Sequence, residues 1–307
     1  MKYRQLLLGL LMILSSNFLN AQSGYGRGEN QFVDISKKQL RLLREVGDLP
    51  NNQRGKMLLD SLYIPFSSLW KGYWPDSDSF ISWIEETGLS KIEEYGSRSL
   101  KIDRIKLEEY WTHTLESVVE LTGYAPKGGC YLYFGPGTLK WYSPDSKHVF
   151  IDLSRPEHFN AAAISELFPH YISKLIFAEQ QQSIADLAYR LLDGGLACFA
   201  TYQFHQGAIS KAEALGYDTE AYDYCVREEE TLFRLLPKLL QEDANLSLSE
   251  ADSDITEETN RLYDIIGYYL GFRMVEAYTD QFGKDAWREL YSMKPADAIA
   301  KIALLPK

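Results

Sequence analysis

Glu166 and His170 are the two residues of this sequence whose types and spacing best suit chemistry. They stand four positions apart in a stretch that predicts a helix over 160–178, and side chains at that spacing share one helix face. A carboxylate and an imidazole bind zinc when further groups complete the site. Asp193, in a second predicted helix over 183–204, is a candidate for a third ligand. One hypothesis is therefore a zinc site made of Glu166, His170 and Asp193.

Pro169 favours the alternative, in which Glu166 and His170 form a surface or hydrogen-bonded pair. At about 100° per residue, His170 is turned by about 100° from Pro169, away from the face on which the second helix is expected to pack. A proline inside a helix also removes a backbone hydrogen bond and kinks the chain. A kink that turned His170 inward would permit the zinc site. We expect the pair and keep the zinc site as the alternative.

The composition is that of a folded, acidic, globular protein. Of 307 residues, 45% are apolar and 13% are aromatic, which excludes collagen-like and disordered chains. The 32 basic and 43 acidic residues give a net charge of −11. Because nucleic-acid binding needs a basic surface, nucleic acid is not expected as a partner.

Residues 1–21 have the order of a secretory signal peptide, with cleavage expected after Ala21. Lys2 and Arg4 form a basic start, and a nine-residue apolar run follows over 6–14. A bilayer span needs about 20 apolar residues, and no later run approaches that length. We therefore expect an exported protein, periplasmic or extracellular, with no transmembrane segment after cleavage.

The hydrophobic pattern predicts an α+β fold that is mostly α, with one small sheet in the middle. Residues 22–122 predict a helical region after a loose start over 22–36, and 123–307 predict a second region with a helical insertion at about 206–258. Two β-rich runs, 130–134 and 149–153, predict a hairpin or small sheet. The further expected elements are helices over 160–178, 183–204, about 208–215, 220–241, 257–282 and 284–303, and a surface loop over 243–256.

Aromatic residues and cysteines are expected to serve the core. The stretch 63–74 is rich in aromatic residues, which suit either a packed core under a loop or a ligand-stacking surface, and we expect the core. Cys130, Cys198 and Cys225 allow at most one disulfide and have no zinc-knuckle spacing. Each is expected to be a small buried apolar residue.

A small sheet, a helix with a His-Glu-x-x-His motif and a helix with a Glu-Gly-Leu-Ala-like segment form the layout of gluzincin-type metallopeptidases. In that order of elements this chain resembles the bacterial family of predicted zinc-dependent proteases, whose function is otherwise unknown. The stretches that carry the resemblance are 149–153 (VFIDL), 163–176 (AISELFPHYISKLI), 192–202 (LDGGLACFATY) and 265–278 (IIGYYLGFRMVEAY).

The resemblance implies a metallopeptidase-like pair of core helices in which the zinc ligands are altered. The family's two histidine positions fall on Ser165 and Pro169, and its carboxylate position falls on Gly194. None of these residues is a useful zinc ligand. Glu166 keeps the position of the general base, but without a metal-bound water it has nothing to activate. The resemblance therefore implies the fold and argues against the activity, so no cofactor is favoured and zinc is the alternative.

The C-terminal helix contributes Tyr268 and Arg273, which the resemblance places in one cleft with Ser165, Pro169 and Gly194. In an active relative, such groups can donate to a developing oxyanion. The same helix carries two glycines four residues apart, Gly267 and Gly271, which predict close packing against a second helix. The acidic run 228–230 predicts a solvated helix face.

Three hypotheses of function follow from these patterns. The first is an inactive, metallopeptidase-like binding protein that takes up an extended peptide or an envelope protein, with a strand of the sheet pairing with the peptide. The second is an active zinc peptidase that uses the displaced ligands Glu166, His170 and Asp193. The third is an unrelated helical envelope protein.

Overall fold

The computed structural model describes residues 31–74, 76–137, 148–158, 160–181, 187–243 and 257–303. It confirms the predicted α+β architecture, which is mostly helical with one small sheet. The expected signal peptide lies outside the described residues, as does all but the first residue of the expected loop over 243–256.

The elements alternate between a helical N-terminal part, a sheet, and a helical C-terminal part. The strands are β1 Phe32–Asp34, β2 Cys130–Tyr133 and β3 Val149–Asp152. The helices are α1 Ile35–Gly47, α2 Asn51–Leu58, α3 Ser67–Trp70, α4 Ser77–Trp83, α5 Ile92–Lys101, α6 Arg104–Thr122, α7 Ala161–Ser165, α8 Phe168–Gln180, α9 Leu187–Phe204, α10 Lys211–Leu215, α11 Thr219–Arg227, α12 Glu229–Asp243, α13 Glu257–Phe282 and α14 Pro295–Ala303. Shorter π and 3₁₀ turns occupy Leu59–Tyr63, Ile84–Gly88, Leu89–Lys91 and Ala286–Tyr291.

The sheet has the order β1-β2-β3, and both pairs of neighbouring strands are parallel. The hairpin alternative for β2 and β3 is therefore wrong, because a tight turn joins only antiparallel strands. The loose start expected over 22–36 is also wrong where it is described, since Phe32 to Asp34 form β1. This strand becomes regular only by pairing with β2, about 100 positions later in the sequence.

The side chain of Gln39 extends the sheet where β1 ends. Its carboxamide donates to the carbonyl of Phe134 at 2.7 Å and accepts from the amide of the same residue at 2.9 Å. Along a strand, the backbone groups of alternate residues point to the same neighbouring strand. The Cys130 amide donates to the Gln31 carbonyl on the β1 side, so the backbone groups of Phe134, four residues later, point to that side too. Gln39 on α1 therefore stands in for the next residues of β1.

Pro169 lies in the first turn of a helix and does not kink a continuous one. The helix predicted over 160–178 divides into α7 and α8, with Glu166 and Leu167 between them. Pro169 lies in the first turn of α8, where the missing N–H has no intrahelical partner to lose. The expectation of a kinked continuous helix is therefore wrong, whereas the helix predicted over 257–282 has those bounds in α13.

The N-terminal aromatic residues form core, as expected. Trp70 and Phe80 are fully buried, with ring centroids 5.1 Å apart. The indole N–H of Trp70 donates to the Leu62 carbonyl at 3.0 Å, so its one polar atom is paired. Tyr73 connects this cluster to the sheet through a hydrogen bond between its hydroxyl and that of Tyr133.

The helices α9 and α13 make the most extensive contact between elements, and two glycines determine how closely they approach. A Cβ on Gly195 would overlap the backbone of Gly271, and a Cβ on Gly271 would overlap the Leu191 carbonyl oxygen. The predicted close approach is therefore confirmed at Gly271. At Gly267 it is wrong, because a Cβ there would meet nothing within 4 Å.

We expect Gly195→Ala to lower the free energy of unfolding by about 1–3 kcal/mol, because the added methyl group forces the backbones of α9 and α13 apart. The matched control is Gly267→Ala in the same helix pair, which has open space and should be neutral or stabilising by up to about 1 kcal/mol. Urea denaturation followed by circular dichroism measures both. Equal effects of the two substitutions would contradict the proposed contact.

Candidate functional site

The residues proposed from the sequence do not converge on one point. Glu166 is exposed and follows the last residue of α7. The hydroxyl of Ser165 is half-buried and donates to the Ala162 carbonyl at 2.8 Å, within its own helix. Pro169 is buried in the first turn of α8. Glu166 therefore lies across a helix break from His170, and the i, i+4 relation of a continuous helix does not hold for the pair.

His170 faces α9, contrary to the expectation that it turns away. Its Nδ1 lies 4.0 Å from Sγ of Cys198, and its ring centroid lies 5.9 Å from that of Tyr268. The physical reason is that a new helix, α8, begins at Phe168, so a rotation counted along one continuous helix from α7 does not apply to His170. Burial, assisted by the nearby Lys174 ammonium, lowers the pKa of His170 to about 3. The imidazole is therefore neutral at physiological pH.

A buried ion pair of Lys174 and Asp193 joins α8 to α9 next to His170. Lys174 is 5% exposed and Asp193 is 8% exposed. Burial opposes the charged ammonium, but the adjacent Asp193 carboxylate outweighs it and raises the pKa of Lys174. Within the described part of the chain, the second carboxylate oxygen of Asp193 is buried with no hydrogen-bond partner. Lys174 is the site residue that the sequence reasoning missed.

The Tyr268 ring covers the surface of α9 at Gly194. A Cβ on Gly194 would overlap Cδ1 and Cε1 of Tyr268. The same ring has the Lys174 ammonium 5.6 Å from its centroid, in cation–π range. The interior next to Gly194 is thus filled by an aromatic ring of α13, and this explains why glycine is needed at that position.

The antiparallel run of α8 and α9 separates the three positions at which the resemblance implies ligands. Lys174 meets Asp193 and His170 meets Cys198, so Gly194 lies near the level of Lys174. Pro169 is five residues from Lys174, or about 7.5 Å along the helix axis. Pro169 and Gly194 therefore lie at different levels of the helix pair, and Ser165 lies beyond the break between α7 and α8.

Among the residues that the structure describes, no three His, Cys, Asp or Glu side chains are grouped so as to hold a metal ion. Glu166, His170 and Asp193 thus form no such group, although His170 and Asp193 both lie at the contact of α8 with α9. Burial also raises the pKa of Cys198 to about 12, so its thiol stays protonated and is a poor nucleophile.

Arg273 belongs to a different cluster from Tyr268. It pairs with Glu229 of α12, at 3.0 Å from Nε, and with Glu276 of its own helix. Glu229 also accepts a hydrogen bond from the Tyr269 hydroxyl. The acidic run 228–230 keeps exposed carboxylates, as expected, but Glu229 is only 33% exposed and is paired with an arginine of α13.

The loop after β2 closes on Asp152. The buried carboxylate of this residue accepts from the amides of Gly135 and Gly137, each at 2.8 Å, and from the Ser154 hydroxyl at 2.7 Å. The Asp152 carbonyl oxygen lies 2.7 Å from Nδ1 of His158. These contacts explain the glycines as parts of a turn, as the sequence predicts.

The remaining histidines and the cysteines lie where a structural role is expected. His113 is exposed on α6, and His148 and His205 are half-buried. Cys130, Cys198 and Cys225 are each fully buried, and each is a free thiol. The expectation of small buried apolar cysteines is confirmed.

No protein-family model, curated protein or solved structure matches this chain. In the described residues, no helix combines the length and the apolar character that a membrane crossing requires.

Breaking the buried ion pair is expected to destabilise the fold strongly. Lys174→Met leaves the Asp193 carboxylate buried without its cation, and should lower the free energy of unfolding by about 3–5 kcal/mol. The double variant Lys174→Met, Asp193→Leu removes both charges and should recover most of that loss. Arg41→Ala, at an exposed pair, should change stability by less than about 1 kcal/mol. A double variant as unstable as the single one would contradict this interpretation.

The pH dependence of stability should carry a contribution from His170. The unfolded imidazole takes up a proton near pH 6.5, whereas the folded one does so at about 3, so the free energy of unfolding falls as the pH falls from 6.5 towards 3. The slope reaches at most about 1.4 kcal/mol per pH unit, the value for one proton taken up on unfolding. Urea denaturation between pH 7 and 4.5 should show a shallower fall for His170→Gln than for the parent chain. The exposed His113→Gln control should retain the parent slope, and identical slopes in all three proteins would refute the assignment.

Proposed function

We propose that this protein is an exported, non-catalytic binding protein built on a metallopeptidase-like pair of helices, α8 and α9. The observation that supports the proposal is the Tyr268 ring against Gly194. A peptidase of this kind would need a ligand side chain at position 194, and the ring occupies the space that such a side chain requires.

Charge supports the same proposal. The buried carboxylate at this point of α9, Asp193, is already paired with the Lys174 ammonium. A divalent cation would have to displace a buried lysine, whose charge would then be left without a partner. Glu166, which the resemblance makes the general base, is exposed on the far side of the break between α7 and α8.

The partner we propose is an extended peptide or an envelope protein, met in the periplasm or outside the cell. The excess of acidic residues disfavours nucleic acid. Strand pairing at β3 is not the mode of binding that the structure favours. All four residues of β3 are buried, and the carbonyl of its last residue, Asp152, already contacts His158. A peptide would therefore bind at another surface.

A second candidate function is zinc-dependent peptide hydrolysis with displaced ligands. It draws support from His170, which faces α9, and from the unpaired oxygen of Asp193 on the same helix contact. It requires Lys174 to leave its carboxylate and Glu166 to approach from the other side of the break.

Zinc content and hydrolysis separate these two functions. The chain is purified after export from a Gram-negative host, and its first residue, expected to be Gln22, is read by mass spectrometry. After zinc loading and desalting, elemental analysis should find no stoichiometric zinc, and a library of random decapeptides should remain intact by mass spectrometry.

The variants Glu166→Gln and His170→Ala are the controls, and they should leave both results unchanged. One zinc per chain that is lost in His170→Ala, together with hydrolysis that is lost in Glu166→Gln, would overturn the proposal and establish the peptidase. A first residue of Met1 in the purified protein would overturn the part of the proposal that concerns export.

A further inference from the structure

A groove lies between α1 and α5, on helices that take no part in the site around Lys174. Its volume is about 600 Å³. The side chains along it are cationic, aliphatic and small. The lining residues used below are Lys37, Leu40, Arg41, Arg44, Gly96 and Leu100, and Glu45 and Glu93 also line it.

Three cations of α1 form one side of the groove. Lys37, Arg41 and Arg44 follow each other at intervals of four and three residues, so they share one helix face. Lys37 and Arg41 make long, exposed ion pairs of 3.9 Å and 3.8 Å, which hold them weakly. Arg44 has no ion-pair partner within the described residues.

Gly96 of α5 gives the Arg44 guanidinium its room. A Cβ at position 96 would lie 3.1 Å from Nη2 of Arg44, which is closer than nine in ten such contacts. A glycine in the interior of a helix lowers its stability relative to alanine. Here the missing side chain at position 96 leaves space for the Arg44 guanidinium beside the groove. The parallel N–H donors of a guanidinium match the two oxygens of a carboxylate.

Aliphatic side chains supply the apolar part. Leu40 is buried beneath the groove, whereas Leu100 at its rim is 89% exposed. Ile105, at the start of the next helix, is 73% exposed. These are the two most exposed large apolar side chains in the described residues, and they lie five positions apart at the corner of α5 and α6.

We propose that this groove binds an extended peptide segment of a partner protein, with a carboxylate of the peptide on Arg44 and an aliphatic side chain on Leu40 and Leu100. The inference rests on the proposed binding function and gives it a location and a ligand chemistry. Glu45 and Glu93 repel a uniformly acidic segment, so the groove selects one carboxylate in register with Arg44 among apolar residues. An anionic bilayer is disfavoured because the chain has a net charge of −11 and the surface is concave.

The test uses random dodecapeptides displayed on phage and selected on the exported chain. Enriched peptides should combine an acidic residue with Leu, Ile or Val, and their synthetic fluorescent copies give affinities by polarisation. Arg44→Ala removes a charge-assisted hydrogen bond and should weaken binding by about tenfold or more. Gly96→Leu fills the groove and should abolish binding. It should still fold, because the clashing Nη2 is the far end of a flexible side chain.

Arg227→Ala is the matched control, since Arg227 is an exposed arginine on α11 outside the groove, and it should leave the affinity unchanged. Thermal melts confirm that the variants are folded. If both groove variants bind the peptides as tightly as the parent chain, the inference is overturned and the proposed binding function still stands.

Two further outcomes would also overturn the inference. One is a selection that enriches no peptide over the Gly96→Leu protein. The other is binding to phosphatidylglycerol vesicles that Arg44→Ala abolishes while no peptide binds, since this would assign the groove to a membrane surface. The zinc and hydrolysis measurements decide the non-catalytic function separately, so failure of the groove is distinguishable from failure of that function.

Discussion

The backbone contact of α9 with α13 at Gly195 and Gly271 is the constraint on which the rest of the C-terminal part depends. Because neither helix has a side chain there, the residues next to the contact are pressed together. Tyr268, one turn before Gly271, is brought against Gly194, and its ring then covers the Lys174 ammonium. The two glycines thus explain why the interior next to Asp193 is closed and why a side chain at position 194 would meet the Tyr268 ring.

Local patterns of the sequence predicted only part of the helical elements. The helix expected over 284–303 is a 3₁₀ turn at Ala286–Tyr291 followed by α14, and the helix expected over 220–241 is divided into α11 and α12. Contacts between distant segments decided other elements that were missed. The helix expected over 257–282 is observed with those bounds as α13. β1 has only three residues and becomes a strand through β2, a partner that no local pattern indicates. Proline was interpreted as a helix interior residue, although the same residue is favourable in a first turn, and the choice depends on where the preceding helix ends.

Some residues of the candidate site could be named from the sequence, but their arrangement could not. His170 and Asp193 do lie at one helix contact, but Lys174, four residues after His170, was left out because a lysine in an apolar stretch is ordinarily solvated. Its burial depends on a carboxylate from the other helix. The ion pair of Glu229 was missed for the same reason, since its arginine is contributed by α13. Electrostatic partners from separate elements are the information that a sequence pattern lacks.

The carboxamide of Gln39 has a consequence for how this molecule meets its neighbours. A short parallel sheet ends in unpaired amides and carbonyls, and these are templates on which a strand of another chain can grow. Gln39 satisfies both backbone groups of Phe134 with a side chain, and a side chain cannot be extended as a strand. The backbone next to the central strand therefore stays paired beyond the end of β1, and no strand of another chain can pair at that point.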